Sequence, residues 1–175
     1  MALSSWSAGY GALSTILEVR RGGDPLDAVL VLDGIHCGWL EQDPHHLNDR
    51  QLASFAGAAR SAASREILFS ITHTEIEPPG YASAAATAEY LLGTAREVGA
   101  PVRSAPTLAA PEHLALRAAQ GAVSKRLEKH LEPTADRSAG ALHVRGFRGN
   151  TPEHHMSHLL QMGATVLPEL ARRWR

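Results

Sequence analysis

Short apolar runs alternate along this chain with longer stretches in which apolar positions recur every three or four residues. This is the pattern of a parallel sheet covered by crossover helices. Four runs have strand length: Met1 to Trp6, Asp27 to Leu32, Glu66 to Thr72 and Ala141 to Arg145. The middle two are continuous rather than alternating, as in strands buried on both faces, so they are expected at the centre of the sheet. Between them the helical period predicts helices over about Tyr10 to Arg21, closed by Gly22-Gly23, about Asn48 to Ser64, and about Ser83 to Val98, closed by Gly99 and Pro101. A further helix is expected over Glu112 to Leu131, behind Pro111. It falls within 100–140, a stretch read as a helical insertion or cap. The last helix runs over about Pro152 to Trp174, kinked or restarted at Pro168, and Met156, Leu159, Leu160, Gly163, Leu167 and Leu170 form the face expected to enter the core. The expectation is a single α/β domain over 1–175, a three-layer, mostly parallel sheet with flanking helices.

In open parallel sheets ligands sit beyond the carboxyl ends of the strands, so the residues after each run carry the chemistry. Here they are Ser5-Trp6-Ser7-Ala8-Gly9, Asp33-Gly34-Ile35-His36, His73-Thr74-Glu75, and the stretch from Gly146 to His158. The first has small residues two before and two after a serine, between a strand and a helix. Small neighbours permit a sharp turn that lifts the hydroxyl above the sheet, with the next backbone N–H facing a developing oxyanion. That makes Ser7 a candidate nucleophile and the Ala8 N–H a candidate oxyanion donor; the alternative is a serine that only caps a helix. Asp33 and Glu75 each follow a buried strand and are alternative acids, although Asp33-Gly34 and the segment around Glu75 also read as ordinary turns. His154, His155 and His158 compete as the base.

The chain order of nucleophile, acid and histidine, with Gly149-Asn-Thr-Pro-Glu-His-His-Met-Ser-His-Leu-Leu-Gln-Met162 leading into Leu167-Pro-Glu-Leu-Ala-Arg-Arg-Trp174, resembles the histidine loop and final helix of the α/β-hydrolase superfamily of serine esterases and lipases. The resemblance covers essentially the whole chain but only the second half of the family fold, from the nucleophile turn onward, and Ser5 stands where the family motif has its first glycine. It implies His155 as the base with His154 as the alternative, and His158 on the helix surface or behind the base. The family carries its acid more usually at the place of Glu75 and in some members at that of Asp33; Asp33 is preferred here because Glu75 lies in a Thr-Glu-Ile-Glu-Pro-Pro stretch that reads as an exposed turn. The resemblance further implies hydrolysis of a small carboxylic ester through an acyl-enzyme, with no cofactor and no metal. The family's earlier strands and their second oxyanion donor are absent from the chain, and one such donor is worth about 3 kcal/mol. The isolated chain is therefore expected to turn over weakly or not at all, and to self-associate or to pair with a second chain that completes the sheet. Two readings compete with this one. One is a non-catalytic fragment or interaction subunit of the same fold; the other is a metal-dependent hydrolase drawing on Asp33, His36, Cys37, His73 and Glu75 or on the helix-spaced pair His154 and His158, without any compact motif of the His-Glu-x-x-His kind.

Composition narrows the setting. With 17 basic against 18 acidic residues and a formal charge of -1, a nucleic-acid footprint spread over the domain is not expected. The single cysteine, Cys37, makes no internal disulfide, so the core must hold the fold. No apolar run approaches the roughly 20 residues of a membrane span, and the start lacks the features of a secretion signal, so a cytoplasmic location is the expectation. Tyr81 is read as a turn residue or pocket wall ahead of an N-cap at Ser83, and Asp43 to His46 as a loop. Arg145, Arg148 and the Arg172 to Arg175 terminus are read as anion contacts or as complements to a helix dipole.

Overall fold

The computed structural model describes residues 1–20, 25–106 and 129–175. Strand β1 (Ala2–Trp6) leads through a short 3-10 turn (Ser7–Gly9) into helix α1 (Tyr10–Val19), followed by β2 (Ala28–Leu32) and a small antiparallel pair, β3 (Trp39–Leu40) and β4 (Asp43–Leu47). Helix α2 (Ala53–Ala63), strand β5 (Leu68–His73), helix α3 (Ala84–Glu97) and strands β6 (Val102–Ser104), β7 (Pro133–Ala139) and β8 (Leu142–Phe147) come next, and α4 (Pro152–Leu160), α5 (Met162–Thr165) and α6 (Leu167–Arg173) end the chain. The main sheet has the order β1-β2-β5-β8-β7-β6, parallel from β1 to β8 and antiparallel from β8 to β6. This is a mixed, mostly parallel α/β sheet with helices on both faces.

The two continuous apolar runs do lie side by side: β2 is buried throughout and pairs with β5 from Ala28 opposite Leu68 to Leu32 opposite Thr72. Pleating sends Val29, Val31, Phe69 and Ile71 to the face under α1, α2 and α3, and Ala28, Leu30, Leu32 and Leu68 to the face under the C-terminal helices. Alanines at 56, 59 and 62 let α2 lie close against the sheet, and Ser83 caps α3 by accepting the Ala86 N–H at 3.3 Å. Among the described residues no helix is long and apolar enough to cross a membrane.

Three expectations are corrected. The flanks of the 100–140 segment form β6 and β7, which widen the sheet instead of capping it; Pro-Thr-Ala-Asp-Arg-Ser-Ala carries no apolar alternation, and three residues of β6 are too few to show a period. Residues 107–128, with most of the expected helix from Glu112, lie outside the described residues. Asp43 to His46 belongs to β4. The last helix breaks at Gln161 and again at Val166, and its inward face is only in part the expected one. Leu170 is buried beside Val166 with Leu167 packed against them, but Ser157, His158, Gln161, Thr165 and Glu169 are buried as well, while Leu159 is 37% exposed. Hydrogen bonds explain the buried polar positions: Ser157, His158, Gln161 and Glu169 meet partners on the sheet or on the chain before β7, and the Thr165 hydroxyl donates to Gln161 O.

Candidate active site

Ser7 stands where β1 ends, and its φ is +54°, a left-handed conformation rarely taken by a residue with a Cβ. A Cβ on Gly9 would stand 3.4 Å from the Cβ of Ser5, an ordinary van der Waals contact, so the turn itself does not demand glycine there. Beneath the turn Gly34 approaches so closely that a Cβ there would lie 2.5 Å from Ser7 O and 2.9 Å from Ser7 N. The glycine after Asp33 is therefore dictated by the neighbouring strand's turn. Ala8 is the second residue of the 3-10 turn, and its backbone N–H has no carbonyl within the turn to bond.

Asp33 also has positive φ, +46°, and is only 3% exposed. Its backbone N–H donates to Thr72 O at 2.8 Å, continuing the β2–β5 ladder. Its carboxylate accepts the Thr74 N–H at 2.8 Å and the Thr74 hydroxyl at 2.9 Å, and Oδ2 meets Nδ1 of His155 at 2.7 Å. Burial alone would raise the Asp33 pKa, but the bonds from His155 and Thr74 outweigh it, and the group lies below the usual carboxylate range. An acid that is ionised near neutral pH and facing Nδ1 fixes the imidazole with Nδ1–H donating and Nε2 free. His155, in the first turn of α4, is held from a second side by Trp6, whose indole N–H donates to His155 O at 3.0 Å and whose ring centroid lies 4.9 Å from the imidazole.

Ser7, Asp33 and His155 border one cleft of about 390 Å³, with Ile76, Pro78, Tyr81, Ala84 and Pro152 among its other walls. Among the described residues Ser7 and His155 make no direct hydrogen bond. The remaining candidates go elsewhere. Glu75 pairs with Gly149, accepting its N–H at 3.2 Å and donating its own N–H to Gly149 O at 2.9 Å, which fastens the loop before α4. His154 bonds the Thr151 hydroxyl at 2.9 Å. His158 is fully buried, not on the helix surface; it bonds the Thr72 hydroxyl at 2.7 Å, and burial pushes its pKa down to about 4. The helix-spaced pair His154 and His158 is thus committed to different partners, and among the described residues no three His, Cys, Asp or Glu side chains group as a metal site. Arg145 pairs with the buried Glu169 and with Asp136, Arg148 with Glu132, and Arg172 lies 3.8 Å from Glu169, so these arginines meet carboxylates of the same chain.

Sequence reasoning missed Thr74, Thr72 and Trp6 as supports. Thr74 follows a predicted strand beside the candidate acid, which is a usable signal; nothing local marks Trp6, whose partner is 149 positions away. Ser83 caps α3 and Tyr81 also borders the cleft, so both readings of that segment hold. No protein-family model matches this chain, and searches of curated proteins and of solved structures give no match either.

Proposed function

We propose that this protein is a serine hydrolase that cleaves a carboxylic ester through an acyl-enzyme, with Ser7 as nucleophile, His155 as base and Asp33 as the acid that orients it. One observation carries the reading: a serine at φ +54° on a strand-to-helix turn shares a cleft with a histidine whose Nδ1 is 2.7 Å from a buried carboxylate. The same reading makes the chain a relative of the α/β-hydrolase superfamily, like its part from the nucleophile turn onward, acting on a small ester.

In this mechanism Nε2 of His155 takes the Ser7 hydroxyl proton as Oγ bonds to the ester carbonyl carbon. The carbonyl oxygen becomes an oxyanion facing the Ala8 N–H. The tetrahedral intermediate collapses, the bond to the alcohol oxygen breaks, and His155 returns the proton to that oxygen. Water then repeats the sequence on the Ser7 ester, releasing the acid and restoring Ser7. Asp33 stays ionised throughout and favours the imidazolium formed at each proton transfer. Contact between Ser7 and His155 closes when substrate fills the cleft, since catalytic hydrogen bonds are often long without it.

A fluorophosphonate tests the proposal, because it phosphonylates activated serines. Label at Ser7, lost on prior denaturation and in Ser7→Ala, is the expected result. A folded chain that takes no label, or takes it elsewhere, overturns the assignment and favours the non-catalytic reading of this fold. No observation among the described residues favours the metal-dependent alternative.

A further inference from the structure

The cleft is one of two cavities that meet at Ser7. The second, about 300 Å³, extends past Ala8, Tyr10, Gly38 and Gln51. Ser7, His36 and Tyr81 border both cavities. His36 is a fixed divider: its Nδ1–H donates to Ala82 O at 3.0 Å, and Tyr10 and Tyr81 meet its ring edge-on with centroids 5.8 and 5.1 Å away. Asp33 and His155 border only the first cavity, and Ala8 only the second.

We infer that the two cavities divide the substrate at its scissile bond, the leaving alcohol occupying the first and the acyl group the second, and that the substrate is an ester of an apolar alcohol with a short, hydrogen-bonding acid. The inference rests on the Ser7–His155 reading and deepens it. His155 must protonate the departing oxygen, so that oxygen lies on the His155 side of Ser7. The carbonyl oxygen turns towards the Ala8 N–H on the other side, and the acyl chain continues past it. The walls then set the chemistry. The first cavity is mainly apolar, with Ile76, Pro78, Ala84 and Pro152, and suits a hydrocarbon alcohol. The second is more evenly mixed. Gln51 Oε1 accepts the Gly38 N–H at 2.7 Å, which sets the carboxamide so that its NH2 serves as the donor. A hydroxyl or keto group near the acyl carbonyl would meet that donor and the Tyr10 hydroxyl.

The test compares two unactivated esters of similar size and opposite layout, benzyl lactate and methyl 4-phenylbutanoate, with benzyl propanoate as a control that lacks only the hydroxyl. Expected are a kcat/KM at least about tenfold higher for benzyl lactate than for methyl 4-phenylbutanoate, and a loss of about tenfold in Gln51→Leu for benzyl lactate with little change for benzyl propanoate. Gln51 is exposed, so this variant should fold. If methyl 4-phenylbutanoate is preferred, or Gln51→Leu affects both benzyl esters alike, the division is wrong while fluorophosphonate labelling of Ser7 still upholds the serine hydrolase. If none of the esters is cleaved and Ser7 takes no label, the function and the division fall together.

Discussion

The two faces of the sheet are held by different forces. Under α1, α2 and α3 it presents Val29, Val31, Phe69, Ile71, Leu142 and Val144 to a single apolar cluster. Under α4 to α6 a smaller apolar cluster around Leu30, Leu32 and Leu170 sits beside a polar one, in which Ser70 donates to Glu169 at 2.7 Å, Thr72 meets His158 at 2.7 Å, and Arg145 pairs with the 4% exposed Glu169. Apolar burial is non-directional and tolerates small shifts. A hydrogen-bonded face does not, because each bond demands a distance and an angle. The candidate base sits on the directional face. Thr72 joins the two parts of the site: its carbonyl holds the Asp33 N–H, and its hydroxyl holds His158, one turn beyond His155 on the same helix. The helix that carries the candidate base is thereby registered against the strand that holds the candidate acid.

The largest effect should come from breaking that registry at its chemical end. Asp33→Asn replaces a carboxylate facing His155 Nδ1 with an amide that presents a donor or a weaker acceptor, so the imidazole loses its fixed tautomer and the support for its charged form. The loss in kcat is expected to be on the order of 10⁴-fold, with the circular dichroism of the fold retained. Ester turnover within about tenfold of the parent would remove Asp33 from the mechanism, and Glu75→Gln would then be the variant to measure.

The difference between the faces also explains what was legible in the sequence. Apolar runs gave β2 and β5 and their central place, because burial on both faces leaves a pattern that needs no partner to be seen. The strand-end residues Ser7, Asp33 and His155 were legible as candidates because topology puts such ends on one edge. The inward face of α4 to α6 was misread because periodicity ranks leucine above serine, histidine and glutamate; the burial of His158 and Glu169 depends on Thr72, Ser70 and Arg145 far away in the chain. Strands β6, at the sheet edge, and β7, between β6 and β8, were hidden for a related reason: a strand of three residues, or one made mostly of polar residues, carries no apolar signal.

A smaller effect separates the faces by stability. Phe69→Ala on the apolar face should lower the unfolding free energy by about 3–5 kcal/mol, to the same extent at pH 7 and pH 5. The polar face should weaken with acid. His158 is held neutral in the fold with a pKa of about 4, whereas the unfolded chain accepts that proton near pH ~6.5. Its contribution is complete above the unfolded value and is lost as pH falls from there towards the folded one, by up to about 1.4 kcal/mol per pH unit. Burial shifts His73 and His143 in the same direction, so His158→Gln should flatten the slope of denaturant midpoint against pH without abolishing it. An unchanged slope in that variant would mean that His158 is not neutral in the fold.

The smallest effect concerns Trp6, which ends β1 and packs against the apolar cluster under the C-terminal helices. Its indole N–H donates to His155 O, and its ring lies against the imidazole. Trp6→Phe keeps an aromatic face and removes one neutral hydrogen bond, a change of about 1 kcal/mol. If that bond serves only packing, the melting temperature falls and kinetics do not change. If it positions His155, kcat falls about fivefold while KM stays constant, because the substrate-binding walls are untouched and only the alignment of Nε2 with Ser7 is lost. The second pattern is expected, since the bonded carbonyl belongs to His155 itself. A parallel rise in KM would instead place Trp6 among the residues that shape the cleft.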